Sequence, residues 1–329
     1  MTQRRRLRYV GWDGKGNIGD DAIRMAWELA LPDCDLTAAD DGDVDGILVG
    51  GGTLLLRPDW AWAFSRIAAS HPGKPWWTSG IGVEDPAFAT ASGAASSHDY
   101  WASFVAGFRV LSTRSELSSQ RLRSVGIEVE TSADPALALP QPVGVPRVPR
   151  RVVINVGDGF AGGTYGASSR YEHELSITVE TLLADGYDVV MVALSLAESE
   201  ACERVAQGRC PVQVAETTED VLRLFASAVV VIGTRLHALY LAAVSRTPMV
   251  AIAYQPKCFD AVTSLACERV ATTGDVASGF LCAAVADILE GWPTEAEQLA
   301  TVLGTQAELA RAGMLTVATD IDHWLCARA

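Results

Sequence analysis

The stretch that decides the fold is VVVIGTRLHALYLAAVSRTPMVAI, from Val229 to Ile252. It opens on a run of β-branched residues, which is typical of a strand buried on both faces. Gly233 permits a sharp turn, and Thr234 is predicted to cap the helix that follows. Leu236 to Val244 is apolar almost all round, which predicts a buried helix, and Met249 to Ile252 is predicted to be a second buried strand.

Two polar side chains, Arg235 and His237, stand in the first turn of this apolar helix. The free N–H groups and the positive end of the helix dipole favour an anion there. A guanidinium adds a two-pronged clamp for phosphate or carboxylate. The alternative is structural: Arg235 would pair with a carboxylate of the fold, and His237 would be an ordinary satisfied polar residue.

The composition describes a globular protein that is 49% apolar and 20% charged, with 26 basic and 40 acidic residues and a net charge of −14. Such an acidic chain argues against nucleic acid and anionic membrane as main partners. Seven scattered cysteines without metal-ligand spacing are typical of reduced thiols, which predicts a cytoplasmic protein. Because no run of about 18 apolar residues occurs, no membrane span is predicted.

Strand and helix patterns alternate along the chain, which predicts parallel sheets covered by helices. Residues 139–150, LPQPVGVPRVPR, carry four prolines and no periodicity. We therefore predict an N-terminal Rossmann-like domain over 1–139, a linker over 140–150 and a C-terminal Rossmann-like domain over 151–329. The predicted fold class is α/β, with two parallel-sheet domains facing a cleft, and ligands of such sheets bind beyond the carboxyl ends of strands.

Local signals add detail to this plan. Ser115 and Thr217 are predicted to cap helices, Thr217 in a capping box with Asp220. Two separate helices, Glu295–Ala312 and Thr316–Cys326, are predicted to end the chain. The glycines at 14, 16 and 19 spell GxGxxG, but no acidic residue ends a following strand, so dinucleotide binding is the weaker interpretation.

Several segments, in order along the chain, resemble the polysaccharide pyruvyl transferase family. They are GNIGDDAI (16–23), ILVGGGTLL (47–55), SGIGV (79–83), STRSELSSQRLRSVGI (112–127), DPAL (134–137) and GTRLHALYLAAVSRTPMVAIAYQPK (233–257). The resemblance implies a variant of the two-domain GT-B architecture. It also implies transfer of pyruvate from phosphoenolpyruvate to a sugar, usually with a cyclic ketal as product.

The resemblance places phosphoenolpyruvate at the RLH segment, with Arg235 holding the anion and His237 handling the proton. Asp134 is a second candidate base, and its structural alternative is a strand-end cap. The predicted donor-binding residues are Gly233, Thr234, Arg235, Leu236, Lys257 and Arg114. The predicted acceptor-side loops carry Gly16, Asn17, Gly19, Asp20, Gly51, Gly52 and Thr53. Neither a metal nor a cofactor is predicted, since phosphoenolpyruvate is a co-substrate; the expected partners are a small anionic donor and a sugar-containing acceptor.

Two positions depart from the family pattern: Asp158 stands where a basic residue is common, and Ser115 where aspartate is common. Two alternatives therefore stay open, a GT-B-type glycosyltransferase with a nucleotide-sugar donor and a non-catalytic binding relative. A binding relative should tolerate His237→Ala, whereas an enzyme should not. The first predicted domain contains a set of five tryptophans between positions 60 and 101: Trp60, Trp62, Trp76, Trp77 and Trp101. Core packing is predicted for most of them, and stacking on sugar rings is the alternative.

Overall fold

The computed structural model describes residues 4–12, 14–38, 43–91, 98–157 and 164–327 of the chain. These residues form two compact units. The first unit comprises residues 1–13, 22–139 and 306–329, and the second comprises 14–21 and 140–305. The longer segment of the second unit begins at Pro140, and the predicted domain bounds differ from the units in three segments, 14–21, 140–150 and 306–329.

The first unit contains a five-stranded sheet and two two-stranded ones. Its strands are β1 (Arg5–Val10), β2 (Cys34–Thr37), β3 (Gly46–Val49), β4 (Thr53–Leu55), β5 (Trp76–Trp77), β6 (Gly82–Val83), β7 (Phe108–Val110), β8 (Ser112–Thr113) and β9 (Glu130–Thr131). The main sheet has the order β2-β1-β3-β5-β7, and every pairing in it is parallel. The strand β2 escaped prediction because CDLT is short and lies at the sheet edge, where half its residues face solvent.

Helices cover this sheet, and aromatic rings fill the core on one side of it. The helices are α1 (Ile18–Ala30), α2 (Pro58–Ser70), α3 (Pro86–Ala91), α4 (His98–Ala106) and α5 (Glu116–Arg123). Phe64 of α2 stacks on Phe104 of α4 with ring centroids 4.7 Å apart. Trp76, Trp77 and Trp101 are buried, which confirms core packing for them, whereas Trp62 is 64% exposed.

The second unit is built on a six-stranded sheet in the order β12-β11-β10-β13-β14-β15, again with every pairing parallel. Its strands are β10 (Arg151–Asn155), β11 (Asp188–Ala193), β12 (Val212–Val214), β13 (Val230–Gly233), β14 (Met249–Ala253) and β15 (Val270–Thr272). The central strands are valine- and isoleucine-rich and buried on both faces, as a parallel sheet between helix layers requires. The two α/β units with parallel sheets confirm the predicted fold class.

The second unit is covered by helices α6 (Ser168–Ala184), α7 (Ser199–Ala206), α8 (Thr218–Ser227), α9 (Leu236–Val244), α10 (Cys258–Ser264) and α11 (Ser278–Glu290). The predicted N-cap is present: the Asp220 amide donates to Thr217 Oγ1 at 3.1 Å, while the Asp220 carboxylate accepts from the Thr217 hydroxyl at 2.7 Å rather than from the Thr217 amide that a full capping box would use. In the first unit, Ser115 caps α5 by accepting from the Ser118 amide. Both cap predictions are confirmed.

The chain ends in one continuous helix, α12 (Trp292–Cys326), so the predicted break after Ala312 is wrong. Glycine weakens a helix interior, and Gly313 lies in the middle of this one. The structure gives it a packing role instead. A Cβ at position 313 would overlap the Oγ atoms of Ser79 and Ser132, so glycine lets the helix lie directly on these serines.

Candidate functional site

The β13–α9–β14 segment has the predicted form, and its helix has the predicted bounds. Gly233 ends β13 under the first turns of α9. A Cβ there would lie 3.0 Å from Leu239 Cδ2 and 3.2 Å from Ala238 Cβ, tighter than ordinary packing allows. Arg235 is the N-cap residue, with extended backbone, and His237 is the second residue of the helix. Strand end, glycine turn and helix start therefore bring both polar side chains to the carboxyl edge of the sheet.

Thr234 does not cap α9, so that prediction is wrong. Its buried hydroxyl donates to the Asn155 carbonyl at 3.1 Å and accepts from the Gly157 amide at 2.6 Å. At the start of α9 it is the Asn155 side chain that accepts a backbone hydrogen bond: its Oδ1 accepts from the Arg235 amide at 3.1 Å. Thr234 therefore ties the end of β13 to the end of β10 rather than serving its own helix.

Arg235 is held by a buried carboxylate, that of Glu198, through its Nε. Glu198 is fully buried and its other oxygen accepts from the Leu194 amide at 2.9 Å and from Asn155 Nδ2 at 3.2 Å. Burial alone would lower the pKa of Arg235, but Glu198 and the Tyr254 hydroxyl offset this and raise it. Arg235 is thus a permanent cation whose charge is largely cancelled, and the structural pairing offered as the alternative does occur.

The ring of His237 lies against the backbone of Gly19, which belongs to the same compact unit. A Cβ at position 19 would lie 2.5 Å from Cγ and 2.7 Å from Cβ of His237, and it would overlap Nδ1. Gly19 is in the first turn of α1, with helical backbone, so glycine is needed here for space and not for its conformational freedom. Any side chain at this position would displace the imidazole.

Asp20, in the first turn of α1, stands near enough to His237, Lys257 and Arg235 for their charges to act on it. Burial raises the pKa of Asp20, while His237, Lys257 and Arg235 act in the opposite direction. Asp20 Oδ2 accepts from Asn17 Nδ2 at 2.5 Å. Lys257 is the residue before α10, and its Nζ lies 5.0 Å from the centroid of the Tyr254 ring. The segment 14–21, predicted for the acceptor side, therefore contributes to the same group as the predicted donor-binding residues.

The other predicted residues lie in the first unit. Arg114 is fully buried, and its Nη2 donates to Thr53 Oγ1 at 2.9 Å. Its guanidinium packs on Gly82, where a Cβ would lie 2.5 Å from Cζ. Asp134 caps the short 3₁₀ turn Pro135–Ala138 by accepting from the Ala136 amide at 3.0 Å, so the strand-end cap is present. Gly51 and Gly52 both have positive φ before Thr53 opens β4.

Sequence reasoning missed Asn155, Glu198 and Tyr254. Asn155 ends β10, and Glu198 lies in the short 3₁₀ turn that follows β11. Asn155 donates a further hydrogen bond, from its side chain to the Val192 carbonyl at 3.1 Å. A usable signal existed for Asn155, a polar residue at the end of the otherwise apolar strand VVIN. Nothing local marks Glu198, because its neighbours in SLAESE read as a solvated turn.

Within the described ranges, no group of three or more His, Cys, Asp or Glu side chains could hold a metal ion. In the same ranges, no helix is both long and apolar enough to cross a membrane. Asp158, the predicted departure from the family pattern, lies outside the described residues.

Solved structures place the fold among α/β proteins of the GT-B and UDP-N-acetylglucosamine epimerase kind. A Listeria monocytogenes protein assigned as a UDP-N-acetylglucosamine 2-epimerase aligns over 94% of each chain, with a TM-score of 0.59 and 10% identity. Anabaena HepE, solved with UDP and glucose, aligns over 99% of this chain and 100% of its own, with a TM-score of 0.56 and 11% identity. A Rickettsia africae glycosyltransferase aligns over 98% of both chains, with a TM-score of 0.52 and 12% identity. At such identities the likeness concerns the fold alone.

Comparison with family models is more specific. The polysaccharide pyruvyl transferase model matches residues 5–256, about three quarters of the chain and including Arg235 and His237. The protein therefore belongs to the polysaccharide pyruvyl transferase family, a family of transferases. Comparison with curated protein sequences gave no significant match.

Proposed function

We propose that the protein transfers pyruvate from phosphoenolpyruvate to sugar hydroxyls of a glycan or glycan precursor, with a cyclic ketal as product. The observation that carries this proposal is the group formed by Arg235, His237 and Lys257 at the carboxyl edge of the second sheet, in a chain of this family. The seven cysteines are all free thiols, which fits a reaction in the cytoplasm.

Phosphoenolpyruvate, the proposed donor, is a small trianion, and the group provides positive charge and N–H donors for its phosphate and its carboxylate. The first-turn amides of α9 have no partner within the helix and favour an anion. Lys257 adds a compact positive charge suited to phosphate. The Nε of Arg235 is ion-paired with Glu198, but the Arg235 side chain is 22% exposed and its other N–H groups can donate to a carboxylate of the ligand.

The chemistry requires a proton at C3 of the enol and a hydroxyl at C2. His237 donates the proton, and the π electrons of the C2–C3 bond form the new C–H bond, which leaves C2 electrophilic. A sugar hydroxyl then attacks C2 and its proton restores His237. A second hydroxyl of the same sugar displaces phosphate, whose oxygen keeps the electron pair of the broken C–O bond and takes the second proton. The balance is phosphoenolpyruvate plus a diol giving a ketal plus inorganic phosphate.

Calorimetric titration with phosphoenolpyruvate tests the donor. We expect saturable binding that weakens about tenfold in Lys257→Ala, the effect of one lost charge-assisted contact. His237→Asn should still bind, but phosphate release with a panel of sugar diols should fall at least about 100-fold, since it loses the proton donor. His173→Asn, on the exposed face of α6, is the matched control and should behave as wild type.

The same titration separates the alternatives. If phosphoenolpyruvate does not bind and a nucleotide sugar does, the pyruvyl-transfer proposal is wrong. If phosphoenolpyruvate binds but His237→Asn releases phosphate at the wild-type rate, the donor assignment stands and the role of His237 is wrong.

A further inference from the structure

Asn155 ends β10, and its fully buried side chain lies between groups that need opposite hydrogen-bonding partners. On one side, Oδ1 accepts from the Arg235 amide at 3.1 Å and lies 3.3 Å from the Thr234 hydroxyl. On the other side, Nδ2 donates to the Val192 carbonyl at 3.1 Å and to Glu198 Oε2 at 3.2 Å. A side-chain amide combines two acceptor sites with two N–H donors. An amide of asparagine length therefore meets donors on one side and acceptors on the other.

Two of these contacts hold the two ends of Arg235. Oδ1 of Asn155 binds its backbone amide, and Nδ2 binds Oε2 of Glu198, whose other oxygen pairs with the guanidinium Nε. Oε2 also accepts from the Leu194 amide at 2.9 Å, and Glu198 is fully buried. Because two donors hold Oε2, the carboxylate keeps its orientation and its Oε1 stays at the guanidinium. Asn155 thus fixes both where Arg235 starts and where its side chain ends.

This arrangement prepares Arg235 for a ligand. Its side chain is 22% exposed, whereas Glu198, which pairs with Nε, is fully buried, so the exposed part of the guanidinium belongs to its other N–H groups. A mobile arginine loses rotamer entropy when a ligand orders it. An arginine that is already held in one orientation loses less, and this preorganisation strengthens binding.

We propose that Asn155 is a positioning residue, which fixes the Arg235 guanidinium through Glu198 in the orientation that binds the anionic donor. Asn155 is fully buried, so it acts through Arg235 and not by its own contact with the ligand. The identity of the anion, phosphoenolpyruvate, rests on the proposed function. The positioning role rests on the hydrogen bonds of Asn155 and on the Arg235–Glu198 ion pair.

Calorimetric titration with phosphoenolpyruvate tests the positioning role. Asn155→Ser is neutral and too short to reach both Glu198 and the Arg235 amide, so binding should weaken about tenfold, the effect of one misplaced charge-assisted contact. In the Arg235→Met background the same substitution should weaken binding less than about twofold, since the group that it positions is gone. Ser176→Ala, in α6, is the matched control and should bind like wild type; it removes a hydroxyl that accepts from Arg209 Nη2 at 2.5 Å.

Two results of this titration would overturn the proposal. One is wild-type affinity in Asn155→Ser. The other is an equal loss with and without Arg235, because a merely structural role would weaken binding in both backgrounds.

A second measurement needs neither a ligand nor a substitution at position 155. The chain has two asparagines, Asn17 and Asn155, so labelling with nitrogen-15 asparagine gives two side-chain amide groups in an NMR spectrum. Both Nδ2 protons of Asn155 face buried acceptors, and they should exchange with heavy water at least about 100-fold more slowly than those of the partly buried Asn17. Arg235→Met releases Glu198 and should shift the Asn155 signal more than the Asn17 signal.

The two measurements separate failure of the donor assignment from failure of the positioning role. If phosphoenolpyruvate does not bind to wild type, but Asn155 exchanges slowly and responds to Arg235→Met, the donor assignment is wrong and the positioning of Arg235 survives. Fast exchange of the Asn155 protons, or an Asn155 signal that ignores Arg235→Met, overturns the positioning role whatever the ligand.

Discussion

The ion pair of Arg235 with the fully buried Glu198 gives the sharpest prediction about the second unit. Glu198 receives three donors, the Leu194 amide, Asn155 Nδ2 and Arg235 Nε. Arg235→Met leaves this fully buried carboxylate without its counter-charge, and removal of one partner of a buried pair costs about 3 kcal/mol or more. Glu198→Gln turns an amide N–H₂ toward at least one of the three donors, which costs about 2 kcal/mol.

The two substitutions together should cost about 3 kcal/mol rather than the sum of about 5 kcal/mol, because each has already removed the interaction that the other destroys. The coupling free energy is then about 2 kcal/mol. Hydrogen exchange followed by mass spectrometry at pH 7.5, on peptides covering β10 and β13, measures the free energy of opening for the four proteins. Arg223→Met, on the exposed side of α8, is the control for loss of an arginine.

Two results would refute this reasoning. Additivity of the two single effects to within about 0.5 kcal/mol would mean that the pair does not couple. A loss in Arg235→Met no larger than that in Arg223→Met would mean that the buried carboxylate does not depend on Arg235 for its stability.

Two further predictions concern α12. Gly313→Ala should lower the melting temperature, because its Cβ would overlap Ser79 Oγ. Gly304→Ala, in the same helix, is the control: its Cβ would meet no atom within 4 Å, so it should stabilise the protein by about 1 kcal/mol. Equal shifts of the two melting temperatures in a thermal scan would contradict the packing role of Gly313. The hydrogen bond from Arg109 lowers the pKa of Asp320, so its stabilisation is present above 3.8 and is lost as the pH falls through the lower folded-state value. Asp320→Asn should therefore destabilise by about 1 kcal/mol at pH 7, and urea unfolding should show this difference disappear at acid pH; a difference that is independent of pH would contradict it.

Much of the second unit could be predicted from sequence because its signals are local. A few consecutive residues are enough to predict the β-branched strands, the helix cap at Thr217 and the apolar helix Leu236–Val244. Short edge strands such as β2 and β15 carry no such pattern and were missed. Thr234 shows the limit of local signals. Its residue type is right for a helix cap, but its hydroxyl donates instead to the Asn155 carbonyl, 79 residues away in the chain.

The sequence by itself determined the fold class and the family and singled out Arg235 and His237 as candidate site residues, since these inferences depend on periodicity and on motifs that are contiguous in the chain. Only the tertiary structure decided what surrounds them. Glu198 neutralises Arg235 across 37 residues of chain, and Gly19 supports His237 from the opposite end of the sequence. Contacts at such separations are fixed by the packing of the sheet and its helices, and no pattern within a window of residues encodes them.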